Sequence, residues 1–414
     1  MSDDDSPRAG DVLELEVGPA AHGGFCVARH RGQVVFVRHA IPGERVRATV
    51  TDTSHATFLR ADAVEVVVAS PDRVVPPCPY AGPGRCGGCD WQHVSASRQR
   101  ELKADVVREQ FRRLAKVDLD EDFAVEPLSE SLLGWRTRIA FAADDDGRLG
   151  LHRHHARTVE LVERCLIGVA GVGDSEVLTR SWPGVSGIEV AQGDDGEIAV
   201  LARRPGPGRQ ARGRRPPDRV ELIDGPDHLV RRVGERDLAV AADGFWQVHP
   251  DAVDAFADAV IALVQPTTGE TVLDLYCGAG ALTVALAGAV GDAGQVIGIE
   301  SNARAVSDAE SNLAGLSQAR VRRGRVDAAL LAHLDVRPDV VVLDPPRAGA
   351  GRDVMHAIVQ LAPRAIGYVA CDPAALARDT RAALDAGWAL SGIRAFDAFP
   401  MTHHVECVAA LRPA

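Results

Sequence analysis

Lysine is almost missing from this 414-residue chain: only Lys103 and Lys116 break a basic set that is otherwise arginine. Aromatic residues are 4 % of the chain, and there are three methionines. No run of 18 apolar residues occurs, which excludes a membrane-spanning helix. The opening Met1-Ser-Asp-Asp-Asp-Ser-Pro7 is acidic and carries no apolar stretch of the kind a leader needs. The expectation is a cytoplasmic protein with no membrane contact. A surplus of positive charge is absent too: the formal net charge is -12. That argues against a general nucleic-acid coat and leaves room for a local basic groove.

What is present has the ordinary globular proportions, 46 % hydrophobic and 25 % charged, in a length suited to two or three domains. Eight cysteines stand at Cys26, Cys78, Cys86, Cys89, Cys165, Cys277, Cys371 and Cys407. Without an export signal they read as metal ligands or catalytic thiols rather than disulfides. Cys26 and Cys407 read as buried apolar residues.

Residues 8–68 alternate in short runs, such as Val12–Val17 and Gln33–Val37, between glycines and prolines. That pattern predicts a five-stranded β-barrel of the oligonucleotide-binding kind. A proline-rich break over Pro71–Pro79 opens a second region, 69–245. It holds a helix over Ser95–Ala115 with a serine cap, and then a β-rich stretch that includes the strand-like Arg136–Phe141. Arg203–Arg219 carries seven arginines against one aspartate. It reads as a basic loop, either a solvated hairpin tip or a contact for an RNA backbone. From 246 to 414 strands and helices alternate, with strand-like runs at 271–275, 295–299, 339–343 and 365–370. This predicts an α/β, doubly wound parallel sheet. Ligands of such sheets bind beyond the carboxyl ends of the strands. Asp274, Glu300, Asp344 and Cys371 all follow predicted strand ends.

Asp274-Leu-Tyr-Cys-Gly-Ala-Gly280 is a strand-to-helix turn in which Gly278 and Gly280 let the backbone approach a ligand. Glu300, at the end of the next strand, can accept hydrogen bonds from both ribose hydroxyls of a nucleoside. The Gly-x-Gly-x-x-Gly fingerprint of dinucleotide folds is absent. The turn resembles the S-adenosyl-L-methionine site of class I methyltransferases, in which Tyr276 would lie against the cofactor. Cys277 reads as a packing residue.

Five segments together are similar to the RNA 5-methyluridine (uracil-C5) methyltransferases. They are Phe245-Trp-Gln-Val-His249, Asp274–Gly280, Leu343-Asp-Pro-Pro-Arg-Ala-Gly349, Ala370-Cys-Asp-Pro-Ala374 and Phe399-Pro-Met-Thr-His-His-Val-Glu406. The N-terminal barrel resembles a TRAM domain, an RNA-binding module. The resemblance covers nearly the whole chain and implies the iron–sulfur branch that methylates ribosomal RNA, acting as a monomer. It implies Cys371 as the nucleophile, Glu406 as the proton-abstracting base, and Gln247 and Asp344 as further cofactor contacts. His249 stands where the family has Asn. His403 and His404 read as structural hydrogen-bonding residues.

The chemistry asks for these groups. Carbon 5 of uracil is a poor nucleophile until a thiolate adds at carbon 6, and a base must then remove the carbon-5 proton. The thiol is mostly protonated at neutral pH, so the site must lower its pKa or supply a base. The position before a helix N-terminus favours the anion. Cys78, Cys86, Cys89 and Cys165 supply four thiolates, a set that suits a 4Fe–4S cluster or a structural zinc. The resemblance favours the iron–sulfur cluster, as a clip that folds the central region. Three other readings compete. A radical methylthiotransferase needs a Cys-x3-Cys-x2-Cys motif that is absent. A non-catalytic RNA-binding factor would tolerate loss of the Cys371 thiol. A cytosine-C5 enzyme would share the thiol adduct, although the Phe399–Glu406 segment favours uracil. A transfer-RNA substrate is the alternative to ribosomal RNA.

Overall fold

The computed structural model describes residues 7–206 and 218–414. Most of the basic loop at 203–219 therefore lies outside the described residues.

Six strands form the N-terminal sheet: β1 (Val12–Glu16), β2 (Ala20–Ala21), β3 (Phe25–His30), β4 (Gln33–Arg38), β5 (Arg45–Asp52) and β6 (Phe58–Val68). Their order is β1-β5-β6-β4-β3-β2, and β1 packs back against β3. The extra strand over the five expected is the two-residue β2. Alternation decides the two faces. Cys26, Ala28, Val35, Val37, Leu59 and Ala61 point inward to one buried core, and the residues between them point out.

Helix α1 (Ala96–Gln110) follows and ends in a π-helical turn over Phe111–Ala115. Ser95 does not cap it. The serine hydroxyl instead donates to Asp72 Oδ1 (3.3 Å). The helix is apolar on two sides. Leu102 and Val106 pack into the barrel core, while Ala104, Val107 and the following Phe111 pack into the core of the C-terminal sheet. Next, β7 (Val125–Pro127) runs parallel to the edge of that same sheet. The segment 96–127 thus packs with the C-terminal half, although the sequence division assigns it to 69–245.

Strands β8 (Arg138–Ala143), β9 (Leu149–His152), β10 (Val159–Leu161), β11 (Gly187–Gln192), β12 (Ile198–Arg204) and β13 (Arg219–Asp224) form the central antiparallel sheet. Its order is β10-β9-β8-β11-β12-β13. A hairpin of β14 (His228–Val233) and β15 (Arg236–Ala241) stands apart from it. The hairpin leans on the C-terminal half too. The Ala239 and Ala241 backbone N–H groups donate to Asn312 Oδ1 (2.8 Å) and Asp308 Oδ2 (2.9 Å).

The C-terminal half alternates as expected. It runs α2 (Ala252–Val264), β16 (Thr271–Leu275), α3 (Ala281–Val290), β17 (Gln295–Glu300), α4 (Ala303–Asn312), β18 (Ala319–Arg323), α5 (Ala328–Ala332) and β19 (Val340–Leu343). It closes with α6 (Arg352–Gln360), β20 (Ala365–Ala370), α7 (Pro373–Leu384), β21 (Trp388–Asp397) and β22 (Glu406–Pro413). The sheet order is β18-β17-β16-β19-β20-β22-β21-β7. Strands β16 to β20 pair parallel, and β22 pairs antiparallel with both β20 and β21. β19 and β20 are buried along their whole length, as parallel strands covered on both faces must be. Helices α2 and α3 cover one face, and α1, α5, α6 and α7 the other. No helix among the described residues is long and apolar enough to cross a membrane.

Candidate active site

The turn after β16 is shaped by backbone conformation. Gly278 (φ 55°) and Gly280 (φ 93°) occupy the left-handed region, and a Cβ added at Gly278 would meet nothing within 4 Å. A side chain is thus absent where a ligand can come close to the backbone. Tyr276 is also left-handed (φ 63°), a conformation that costs a non-glycine residue about 1 kcal/mol or more. Its N–H donates to Ile299 O (2.9 Å), and its half-buried ring packs against the sheet core. Burial, with Asp379 beside it, pushes the phenol up to about 12.

Glu300 ends β17 with its carboxylate held by backbone. Oε1 accepts from the N–H groups of Ser301 and Asn302 (both 2.6 Å), and Oε2 from Gly278 N–H (3.3 Å). These bonds orient the carboxylate over the glycine turn. Asp274 is fully buried. Thr283 Oγ1 donates to its Oδ2 (2.5 Å), while Oδ1 has no partner among the described residues. Burial lifts its carboxyl to about 7 against the Thr283 bond, with the Glu300 charge adding to the rise. A buried carboxyl oxygen left unmatched beside an open glycine turn calls for a partner that the described residues do not supply. Gln247 is half-buried, and its neighbour Trp246 packs against Ala279 and Val284 at the start of α3.

The second half of the site comes from the sheet's antiparallel join. β20 and β22 pair up to Ala370 opposite Cys407, and Cys371 and Glu406 are the next residues beyond that last pair. Cys371 immediately precedes Asp372, whose Oδ1 caps α7 by accepting from Ala375 N–H (2.7 Å). Of the two routes open to the thiol, a lowered pKa or an assisting base, its surroundings do not favour the first. Burial pushes it up to about 12, with the charges of Glu406, Asp344 and Asp372 adding to the rise and Arg347 opposing it. Glu406 is buried and raised well above the usual carboxylate range by burial and then by Asp344, again against Arg347. Asp344 is pushed up to about 7 by burial and by Asp274. Each acid therefore feels the next, and the line Glu300–Asp274–Asp344–Glu406–Cys371 runs from the glycine turn to the thiol. Arg347 is the cation that both Glu406 and Cys371 feel. It lies inside a quoted motif, but sequence reasoning gave it no role.

The segment 398–405, which delivers Glu406, is held by side chains from far away. Gln99 donates to Trp91 O (3.2 Å) and Val94 O (2.9 Å) and accepts from Met401 N–H (2.8 Å). Lys103 is fully buried, pairs with Asp397 (2.5 Å) and donates to Phe399 O (3.1 Å). His403 Nδ1 meets Asp90 Oδ2 (2.6 Å). Burial would raise Asp90, but His403 and Arg38 hold it at about 2. His404 lies tilted against His403, with ring centroids 4.1 Å apart, and is pushed down to about 3 by burial, then by His403 and Arg347. His249 is buried beneath Trp135, with Nε2 3.4 Å from Ser129 Oγ. Among its described contacts it packs rather than faces the glycine turn.

Cys78, Cys86, Cys89 and Cys165 line one cavity together with Tyr80, Gln92 and Arg164. Burial raises the Cys86 thiol to about 11 and raises Cys89 and Cys165 too; Arg136 pulls Cys165 back. Among the described residues, no group of three or more His, Cys, Asp and Glu side chains is disposed to hold a metal ion. The four cysteines are drawn to one place.

A parallel sheet with helices on both faces, a left-handed glycine turn after its first strand and an acid at the end of the second define the class I methyltransferase architecture. Residues 240–413 match the family model described as tRNA (Uracil-5-)-methyltransferase, and residues 8–64 match the TRAM domain. An uncharacterized RNA methyltransferase of Streptomyces avermitilis is 47 % identical over 98 % of this chain and 99 % of its own length. Relatives so described in Streptomyces coelicolor (46 %, covering 98 % and 93 %) and Bifidobacterium longum (37 %, covering 96 % and 95 %) follow the same pattern. The chain belongs to this family of RNA methyltransferases, with an N-terminal TRAM domain. A likeness in fold extends over 96 % of the chain and 100 % of a solved structure. That structure is the Pyrococcus abyssi tRNA (uracil-54, C5)-methyltransferase in complex with S-adenosyl-L-homocysteine, at TM-score 0.71 and 21 % identity.

Proposed function

We propose that the protein methylates carbon 5 of a uridine in RNA through a covalent bond from Cys371 to carbon 6. The reading is supported by the β20–β22 register, which ends at Ala370 opposite Cys407 and so leaves Cys371 and Glu406 as the next residues of the two chains, and by the Glu406 charge that acts on the thiol. S-adenosyl-L-methionine, when bound, supplies an electrophilic methyl group. Gly278, Gly280, Glu300 and Asp344, flanked by Gln247 and Tyr276, are the residues that would hold it, and the unmatched Asp274 Oδ1 fits that role.

Cys371 adds to carbon 6 as its thiolate, having given its proton to a base or to water, and the electron pair of the 5,6 double bond moves toward the carbonyl oxygen at carbon 4. Carbon 5 is then electron-rich and would take the methyl group from the bound cofactor's sulfonium, whose sulfur–methyl bond would break to leave a neutral thioether. The Glu406 carboxylate removes the carbon-5 proton; the double bond reforms and the sulfur leaves. Burial raises the proton affinity of Glu406, which suits a base that must take a proton from carbon. The same burial works against the thiolate, and Arg347 is the charge here that favours it. The target carbon is inaccessible in stacked RNA, so the uridine must be flipped out.

The four-cysteine cavity supports a 4Fe–4S cluster held by Cys78, Cys86, Cys89 and Cys165 as a structural clip. A ribosomal RNA target, 23S by the resemblance, rests on the barrel and that set together. A transfer-RNA target is the second reading, favoured by the family model's description and by a fold likeness that includes the barrel.

The test is incubation with 5-fluorouridine-substituted RNA and S-adenosyl-L-methionine. Fluorine cannot leave as a proton does, so the wild-type protein is expected to remain bonded to the RNA, and Cys371→Ser is not. Mapping the bonded nucleotide decides between the two RNAs. Wild-type protein that binds the cofactor and yields no adduct would overturn the proposal.

A further inference from the structure

Aromatic residues are scarce in this chain, and most are spent in cores. Phe25, Phe36 and Phe58 are not: they belong to none of the hydrophobic clusters and stand half-exposed on the outward face of the barrel. Strand pairing brings them together. Val27, two residues from Phe25 on the same face of β3, lies opposite Phe36, and Phe36 lies opposite Arg60 on β6. The ring centroids of Phe25 and Phe36 are 5.9 Å apart, and those of Phe36 and Phe58 5.1 Å, both edge to face. His55 stacks flat on Phe58 at 4.2 Å. The Arg60 guanidinium reaches across, 5.9 Å from the Phe25 centroid and 5.6 Å from that of Phe58. One of its nitrogens meets Asp52 (3.3 Å), which fixes the side chain and leaves other donors free. Exposed Arg29 extends the same face along β3.

This strip leads to the thiol. The residues just before Phe25 form the β2–β3 loop, and His22 Nε2 from that loop lies 3.2 Å from Asp372 Oδ2, next to Cys371. Beside Phe25 lies the His154 ring, at 6.1 Å. Its neighbour Arg153 bridges to Cys86, so the strip touches the cysteine segment as well.

We propose that Phe25, Phe36 and Phe58, with Arg60 across them, form a stacking platform for unpaired RNA bases adjoining the flipped uridine. The inference rests on the uridine-methylating reading and deepens it. Every base has a π face, and aromatic rings with arginine planes are how proteins hold single strands. Two arginines on the strip suit a phosphate backbone. A flipped nucleotide also needs its neighbours held, and the strip is continuous with the site where flipping must occur.

The test uses the full chain and a fluorescent single-stranded oligouridylate. Phe25→Leu with Phe58→Leu keeps apolar bulk and removes the π faces, and it is expected to weaken binding about tenfold or more. Phe58→Tyr keeps the face and is expected to bind as the wild type does. Because these rings lie outside the cores, the melting temperature and S-adenosyl-L-methionine binding are expected to stay unchanged. Wild-type affinity in the double leucine variant overturns the platform. So does sedimentation showing that the variant only loses self-association, since the strip then meets a second copy. If wild-type protein forms the 5-fluorouridine adduct while the leucine variant binds normally, the platform alone fails. If no adduct forms while the leucine variant loses oligouridylate, the platform stands and the methylation reading fails.

Discussion

Buried acids behave in opposite ways in two regions of this molecule. At the rim of the C-terminal sheet, Asp274 and Asp344 are pushed up to about 7, and Glu406 rises as well. In the seam between the barrel, α1 and the 398–405 segment, Asp90 is held down at about 2. Burial acts the same way on both; the company differs. Rim acids face one another with Arg347 as the cation near Glu406, whereas Asp90 has Arg38 and His403 against it. The rim thus holds acids that keep their protons longer than free carboxyls do. The seam is neutralised within itself, which suits a part whose task is to hold position.

The largest expected effect tests the seam. Lys103 and Asp397 are both buried and pair directly. Lys103→Met leaves Asp397 without its cation, and removing one partner of such a pair costs about 3–5 kcal/mol. Pairing it with Asp397→Leu is expected to recover most of that loss, since a well-packed apolar pair can replace a buried ion pair. Urea unfolding of the two variants measures it. If Lys103→Met is as stable as the wild type, pairing is not what holds the seam and the contrast breaks.

A second, smaller effect tests the rim. The folded Asp274 holds its proton up to about pH 7, whereas the unfolded chain releases it near the ordinary value of 3.8. Between those limits the folded state binds more protons, so stability is fully present below the lower one and is lost as pH rises through the upper. The slope for one proton is about 1.4 kcal/mol per pH unit. Asp274→Asn is expected to flatten part of this decline, with Asp344 keeping the rest. Unfolding midpoints at pH 5 and pH 8 show it. Equal declines in the wild type and the variant would mean that Asp274 does not carry the rim's proton.

The same contrast explains what could be read from the sequence. Asp274 lies near the end of β16, Glu300 ends β17, and Asp344 and Cys371 directly follow β19 and β20; a strand-turn-helix unit places its own residues. Periodicity and glycines therefore located the rim. Glu406 was legible through its motif, and that it and Cys371 come next after the last β20–β22 pair follows from an antiparallel pairing that nothing local announces. The seam was not legible. Gln99 reaches Met401 and Lys103 reaches Asp397 across roughly three-quarters of the chain, and only packing brings them together. Because α1 buries two faces, its sequence read as an isolated mixed-charge helix. The groups that raise the thiol are hidden for a related reason: the helix N-terminus is visible in the sequence, but the surrounding carboxylates are not.

His22 joins the barrel to the rim, and the smallest effect is expected there. Both it and Asp372 are partly exposed, so the pair is worth about 0–1 kcal/mol and His22→Ala should barely move the melting temperature. Its influence on the thiol is another matter. Burial raises the Asp372 carboxyl, but the His22 bond, the α7 cap and the charges around them outweigh it and leave the group below its ordinary range. Asp372 in turn raises the pKa of Cys371. Without the imidazole, the carboxylate's charge is less compensated, and thiolate forms less readily next door. Alkylation of Cys371 by iodoacetamide at neutral pH, read by peptide mass, is therefore expected to slow a few-fold while the fold is unchanged. A large drop in melting temperature would make the contact a structural weld. Unchanged alkylation would sever the barrel from the chemistry of the rim, leaving it a surface for RNA and nothing more.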